Sequence, residues 1–138
     1  MTIDALAEAM LQQAEQRLKV LPLYLEDEAF GVAVRESQEV VELSLKAILR
    51  MCAIEPPKIH DVGPHLLANR DRVERLGNVD VELLASASKT LRKDRELAFC
   101  GETDFIPTAS YSRQQAEQAV AWAAEAVKAA RKIIYHEK

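Results

Sequence analysis

Four basic residues stand close together in the second half of the chain, at spacings that suit a phosphate ligand. Lys89, Arg92 and Lys93 are spaced i, i+3 and i+4, and Arg95 follows shortly after. Residues at these spacings share one side of a helix, and cations near a helix C-terminus also complement its dipole. We therefore predict that the four residues bind the phosphate of a nucleotide or of an RNA backbone. The alternative is a solvated helix surface, because acidic residues interrupt the basic run.

Arg95 and Tyr111 are the more specific candidates for contacts with a nucleotide, because they flank a loop. An arginine can hold a phosphate with two parallel N–H donors, and an aromatic ring can stack on a nucleic acid base. Tyr111 comes after the loop that begins at Cys100, so we predict that both residues contact a bound nucleotide. The spacing is equally compatible with an arginine that orders the loop by pairing with Glu102 or Asp104.

Other catalytic and metal-binding patterns do not occur in the sequence. His60, His65 and His136 belong to no Ser-His-Asp or Cys-His spacing, and there is no glycine-rich phosphate loop. Cys52 and Cys100 lack the spacing of zinc ligands, and a disulfide between them is not expected in a chain that reads as cytosolic. We predict neither a metal nor a cofactor.

Length and composition indicate one globular domain over residues 1–138. Hydrophobic residues make up 49% of the chain, and only 4 Gly and 5 Pro occur, which favours helix. The net charge of −4 gives no general attraction to nucleic acid, so any such binding must be local. No apolar run reaches the ~18 residues of a membrane span, and the N-terminus does not have the pattern of a secretory signal. We therefore predict a cytoplasmic protein.

Apolar periodicity predicts five helices that would position the basic residues. They cover about residues 3–23, 27–54, 62–76 and 81–99, and a last helix runs from a Ser112 cap to about residue 135. The second is the best core helix, and the two prolines at 56–57 end it. Asp61 and Asp80 are predicted N-caps, and Ser112 with Gln115 is a predicted capping box.

The predicted helices have apolar sides that would face one another. The stripe of the first is Ile3, Leu6, Met10, Ala14, Leu18 and Leu21, and that of the fourth is Leu83, Leu84, Ala87, Leu91 and Leu97. Glu39 and Glu42, spaced i, i+3 on the second helix, are interpreted as a solvated face. Short connections predict an all-α, antiparallel up-and-down bundle of four to five helices. Apolar surface left over on the long helices would be covered in a homodimer.

Four segments, in this order, resemble the HEPN family. The first two are residues 41–49, Val-Glu-Leu-Ser-Leu-Lys-Ala-Ile-Leu with Lys46, and residues 54–62, Ile-Glu-Pro-Pro-Lys-Ile-His-Asp-Val. The other two are residues 91–101, Leu-Arg-Lys-Asp-Arg-Glu-Leu-Ala-Phe-Cys-Gly, and residues 111–119, Tyr-Ser-Arg-Gln-Gln-Ala-Glu-Gln-Ala. The resemblance extends over nearly the whole chain.

This resemblance implies an all-α bundle of four or five helices that usually forms a homodimer. Family members are often encoded beside a small nucleotidyltransferase of the MNT type, and such pairs behave as toxin and antitoxin. Many are metal-independent ribonucleases whose Arg-x(4–6)-His motif, at the dimer cleft, acts on the RNA 2′-OH and the scissile phosphate. General acid–base catalysis with charge stabilisation would suffice for that reaction.

The sequence departs from the family motif at its histidine. Cys100 stands five residues after Arg95, and no histidine occurs between His65 and His136. Arg131 and His136 do match the spacing of the motif, but they lie at the extreme C-terminus. We interpret that match as chance. The resemblance therefore implies a phosphate contact for Arg95, and it assigns no residue of this chain to the role of the motif histidine.

Three functional hypotheses follow. The first is a nucleotide- or nucleic-acid-binding module that acts with a nucleotidyltransferase partner in a toxin–antitoxin-type pair. The alternative is a metal-independent ribonuclease toxin that uses Arg95 with Tyr111, Cys100 or a histidine brought across the dimer. The third is a helical subunit whose dimer or partner surface is its whole function. The hypotheses differ in whether the protein is an enzyme, and the missing histidine favours the binding module.

Overall fold

A computed structural model describes residues 3–59, 61–99 and 111–137, with the backbone alone at residue 3 and residues 94–99. Within these ranges the chain is α-helical and has no strand. The helices are α1 (Ile3–Leu18), α2 (Leu21–Glu26), α3 (Phe30–Met51), α4 (Gly63–Ala68), α5 (Arg70–Leu76), α6 (Val81–Phe99) and α7 (Arg113–Ile134). The predicted all-α class is therefore confirmed.

The central helix is α3, which packs against α1, α6 and α7. Every side chain of α3 is buried or half-buried, so the helix is surrounded by the rest of the bundle. Its apolar stripe includes Val34, Val41, Leu45 and Ile48, all buried as the periodicity predicts. This confirms that the second predicted helix is the core helix.

The first predicted helix, residues 3–23, is divided into α1 and α2. α1 ends at Leu18, and α2 begins at Leu21 with Pro22 in its first turn. Proline has no N–H for the carbonyl four residues earlier, here that of Leu18, and its ring clashes with that carbonyl. It is tolerated in a first turn, where no such bond is needed. The prediction of one continuous helix was wrong because it overlooked Pro22.

The buried side of α1 is also shifted from the predicted stripe. Ala7, Leu11 and Ala14 are fully buried, whereas Leu6 and Met10 are half-buried. The predicted contact of Ile3 lies outside the described side chains. Ala14 and Leu21 are buried as predicted, so the buried side is rotated by less than one residue step, with small Ala7 rather than Leu6 meeting the core.

Asn69 divides the third predicted helix, residues 62–76, into α4 and α5. Its backbone has φ −112° and ψ 23°, and its side-chain Nδ2 donates a hydrogen bond to the His65 carbonyl oxygen at 2.8 Å. A short polar side chain that bonds the nearby backbone competes with the continuing helix, which explains the break. Asp61 lies one residue before the N-cap, Val62, and still accepts a hydrogen bond from the Gly63 N–H at 3.1 Å.

The caps of α6 and α7 agree with the sequence predictions. Asp80 Oδ1 accepts a hydrogen bond from the Leu83 N–H at 3.0 Å. Ser112 Oγ accepts one from the Gln115 N–H at 3.1 Å, and the Gln115 side chain accepts one from the Ser112 N–H at 2.9 Å. Each acceptor satisfies an N–H group that has no partner inside its helix.

α6 buries Leu84, Ala87 and Leu91 as predicted, but Leu83 is 37% exposed. One residue along a helix is a turn of ~100°, so Leu83 points away from the side that buries Leu84. The prediction of an inward Leu83 was therefore wrong. Leu97 lies outside the described side chains.

The two ends of α7 fix the direction of its neighbours. At its start, the Arg113 guanidinium lies 5.0 Å from the Phe30 ring centroid and donates to the Leu25 carbonyl oxygen at 3.4 Å, next to the start of α3. At its end, Lys132 Nζ donates to the Asn78 carbonyl oxygen at 3.4 Å, next to the start of α6. α7 therefore runs with α3, and α6 runs antiparallel to both.

Ser88 connects the middle of α6 to the segment that follows α3. Its Oγ accepts a hydrogen bond from the Val62 N–H at 3.3 Å and donates to Asp61 Oδ1 at 3.0 Å. α4 meets α6 so closely that a Cβ at Gly63 would lie 2.9 Å from the Ala85 carbonyl oxygen. Because α6 packs against α3 and is antiparallel to it, the residues after Ser88 run back towards the start of α3.

Candidate functional site

The structure separates the predicted basic cluster into an outer and an inner part. Lys89 and Lys93 are exposed, one turn apart on the same side of α6. Arg92 is half-buried and has an interaction partner. It lies four residues after Ser88 and eight after Leu84, both nearly fully buried, so it belongs to the inner side of the helix.

Arg95 lies in α6, but its side chain is outside the described residues. Among the described basic residues, Arg92 therefore lies on the inner side of α6, whereas Lys89 and Lys93 occupy the outer side.

Tyr111 belongs to the hydrophobic core and is 8% exposed. It also has an interaction partner. Stacking of its ring on a base stays a prediction, and it requires that the ring leave the core. The predicted loop residues Cys100, Glu102 and Asp104 lie outside the described residues.

Most arginines in the described part of the chain form ion pairs with carboxylates. The ion pairs join Arg17 to Glu36, Arg50 to Glu55, Arg70 to Glu74 and Glu82, Arg113 to Glu28, and Arg131 to Glu15 and Glu137. Exposed cations that form no ion pair with a carboxylate in that part are Lys19, Lys58, Arg72, Arg75, Lys89, Lys93 and Lys128. Five of these seven lie between residues 58 and 93.

The segment 58–93 has the opposite charge to the whole chain. It contains seven basic and five acidic residues, a net of +2, against −4 for all 138 residues. A groove of about 550 Å³ runs between α4 and α6 in the same segment, lined by Asp61, Gly63, Pro64, Leu67, Glu82, Ala85, Ser86 and Lys89. Lys89 thus stands where the basic side of α6 meets this groove.

A buried polar row on α3 is the feature that the sequence analysis missed. Gln38 is 2% exposed, and the Glu42 carboxylate lies 3.8 Å from Lys46 Nζ, with side-chain exposures of 11% and 18%. The prediction of a solvated face was therefore wrong for Glu42, and Glu39 is half-buried. The sequence signal that could have indicated this ion pair is Lys46, which lies one turn after Glu42 and beside the apolar stripe.

The structure supports the interpretation of Arg131 and His136 as a chance match. Arg131 donates to Glu15 at 2.7 Å and to Glu137 at 3.0 Å, and its guanidinium lies 5.2 Å from the Tyr135 ring centroid. The hydrogen bonds from Arg131 lower the pKa of the Glu137 carboxyl. A guanidinium that two carboxylates already neutralise is poorly placed to hold a phosphate. His65 is exposed, and His60 lies outside the described residues.

Cys52 is buried, and burial raises the pKa of its thiol. A thiol with a raised pKa is a poor nucleophile, so Cys52 is a packing residue of the core. No helix in the described ranges is long and apolar enough to cross a membrane.

The fold and the site define an all-α antiparallel bundle with a basic side on the helix that precedes the last one. The family profile of the HEPN domain matches residues 7–133. The match covers nearly the whole chain, and the protein therefore belongs to the HEPN family. HEPN domains often form dimers. Neither a curated protein nor a solved structure gives a significant match.

Proposed function

We propose that this HEPN protein binds the phosphate groups of RNA or of a nucleotide with the basic residues of α6. One observation supports the proposal above the others: Lys89 and Lys93 are exposed on one side of α6 and form no ion pair with any described carboxylate. A cation without a carboxylate partner can neutralise a phosphate without first breaking an ion pair. Half-buried Arg92, and Arg95 further along α6, are the proposed additional contacts to the bound ligand.

The proposed partners are a second copy of the chain and a nucleotidyltransferase, in a pair of the toxin–antitoxin type. Family membership supports both, since HEPN domains often form dimers and are often encoded beside a small nucleotidyltransferase. In the described part, seven large hydrophobic side chains are exposed, and four lie between residues 59 and 83: Ile59, Leu67, Leu76 and Leu83. Partner surfaces commonly carry such apolar side chains, so this segment is the proposed place for one.

A second candidate function is a metal-independent ribonuclease that uses Arg95. The observation that favours it is the largely buried Glu42–Lys46 ion pair, because holding two charges away from water costs free energy that their attraction often does not repay. The third hypothesis, a helical subunit without a phosphate site, is the outcome if the binding test below fails.

The binding test compares two double variants that remove the same charge. We expect Lys89→Ala with Lys93→Ala to weaken binding of a fluorescein-labelled single-stranded RNA ~5–30-fold, because two phosphate contacts are lost. Lys19→Ala with Lys128→Ala removes two exposed lysines outside α6 and should change the affinity less than ~2-fold. Fluorescence anisotropy measures both. Equal effects of the two double variants would show that α6 is not the binding surface.

A further inference from the structure

The groove of about 550 Å³ between α4 and α6 is a feature that the phosphate-binding proposal uses only at one end, Lys89. α4 and α6 are in close contact beneath it, since a Cβ at Gly63 would lie 2.9 Å from the Ala85 carbonyl oxygen. Pro64 and Leu67 contribute apolar side chains to its lining, and Leu67 is 45% exposed. Covering such a side chain with a partner removes apolar surface from water, which is favourable.

The charged residues of the groove differ in whether they have partners within the chain. Asp61 Oδ1 accepts a hydrogen bond from Ser88 Oγ at 3.0 Å, and Glu82 Oε1 accepts one from Arg70 at 3.0 Å. Lys89 is exposed and forms no ion pair with a described carboxylate. The two carboxylates are therefore already engaged, and the lysine is the charge that is available to a ligand.

The groove has an available cation at each end. The hydrogen bond that joins Ser88 to the start of α4 lies at the Lys89 end. Leu67 lies one turn further along α4, at the other end, and also lines a neighbouring cavity of about 450 Å³. That second cavity contains Arg72, which is exposed and has no described ion pair. The α6 residues of the groove lie between positions 82 and 89, a rise of ~10 Å or about two helical turns.

The lining of the groove favours a helix as its ligand. Addition of a β-strand requires an exposed sheet edge, and the described ranges contain no strand. Proline-rich segments bind grooves lined by aromatic rings, and single-stranded RNA binds largely by stacking on such rings. None of the residues that line this groove is aromatic. An apolar groove between two packed helices instead suits the apolar side of an amphipathic helix.

The charge of this region favours an acidic partner over a second copy of the chain. A symmetric dimer about the groove would place segment 58–93 of one copy against the same segment of the other, and each has a net charge of +2. Like charges that face each other across an interface cost free energy. Carboxylates on a docked helix would instead pair with Lys89 and Arg72.

We propose that the groove between α4 and α6 is the docking site for a short, acidic, amphipathic helix of a partner protein. The apolar side of that helix covers Pro64 and Leu67, and its carboxylates pair with Lys89 and Arg72. This inference rests on the partner surface proposed above between residues 59 and 83, and it adds the chemistry of the segment that this surface recognises.

The apolar contact is tested with a designed, fluorescein-labelled helical peptide of about 16 residues that contains only Ala, Leu and Glu. Its leucines are spaced i, i+3, i+4 and i+7, so that they share one side. Leu67→Ser should weaken binding ~10-fold or more, because the burial of one leucine side chain is lost. Leu23→Ser, a change at a 56% exposed leucine of α2, is the matched control and should stay within ~2-fold of the wild type. Fluorescence anisotropy measures both.

The charge contact is tested by reversal. Lys89→Glu should weaken binding of the acidic peptide ~3–10-fold at low salt and less at high salt, whereas Lys128→Glu, the matched control, should stay within ~2-fold. A peptide with Lys in place of every Glu should bind Lys89→Glu more tightly than it binds the wild type. Ser86→Glu places a carboxylate in the groove at an exposed position and should also weaken the acidic peptide, so the test does not depend on the folding of one variant.

The outcomes separate this inference from the phosphate-binding proposal, because Lys89 serves both and Leu67 serves only the docking site. No binding of the acidic peptide by the wild type, or equal effects of Leu67→Ser and Leu23→Ser, would overturn the inference. It would also be wrong if Leu67→Ser weakened RNA binding as strongly as peptide binding, or dissociated a dimer in light scattering, since the groove would then hold RNA or a second copy. A failure of the RNA test alone would leave the docking site standing.

Discussion

Leu84→Ala is expected to lower the free energy of unfolding by ~2–5 kcal/mol, the usual cost of removing a buried leucine. Leu84 is 2% exposed, on the side of α6 that packs into the bundle. Truncation loses the transfer free energy of the removed carbons and leaves a cavity that the surrounding helices fill only partly. Urea unfolding monitored by circular dichroism measures the change.

Leu83→Ala is the matched control, because it makes the same chemical change one residue away. Leu83 is 37% exposed, so its truncation should cost less than ~1 kcal/mol. Equal losses for the two variants would contradict the orientation of α6, and with it the placement of Lys89 and Lys93 on the outer side.

Arg95→Ala is expected to abolish any RNA cleavage by the protein in EDTA. In the ribonuclease candidate, Arg95 is proposed to take the role of the motif arginine and to stabilise the charge on the scissile phosphate. Loss of one such donor typically slows catalysis ~10²–10³-fold. Gel analysis of a labelled RNA, with the wild type beside the variant, measures the loss.

Arg75→Ala is the control for this experiment. Arg75 is an exposed arginine of α5 that forms no ion pair in the described part of the chain, so its removal makes the same change of charge. Unchanged cleavage in Arg95→Ala would remove Arg95 from the ribonuclease candidate. A similar loss in both variants would indicate a general effect of positive charge.

Local signals in the sequence predicted most of the fold. Asp80 and the Ser112–Gln115 capping box act within three residues, so their hydrogen bonds could be read directly from the sequence. The stripe of α3 is wide enough that small errors of register leave it buried. The breaks at Pro22 and Asn69 were missed because each competes with a strong apolar periodicity on both sides.

The candidate site was less predictable, because it depends on which way each helix faces. The spacing of Lys89, Arg92 and Lys93 places all three on one side of α6. Only the packing of α6 shows that Arg92 lies inward. Glu42 was interpreted as solvated because Glu39 and Glu42 suggested a polar helix face, and the signal of Lys46, one turn later, was overlooked. The extent of the domain, the dimer and the nucleotidyltransferase partner stay predictions.

The salt dependence of RNA binding tests the central claim most directly. For single strands, the logarithm of the affinity falls by ~0.7 per phosphate contact for each decade of salt. With four contacts from α6 we expect a wild-type slope near −2.8 between about 50 and 200 mM salt, and near −1.4 for Lys89→Ala with Lys93→Ala. A flat wild-type response, or the same slope in both proteins, would contradict phosphate binding by α6.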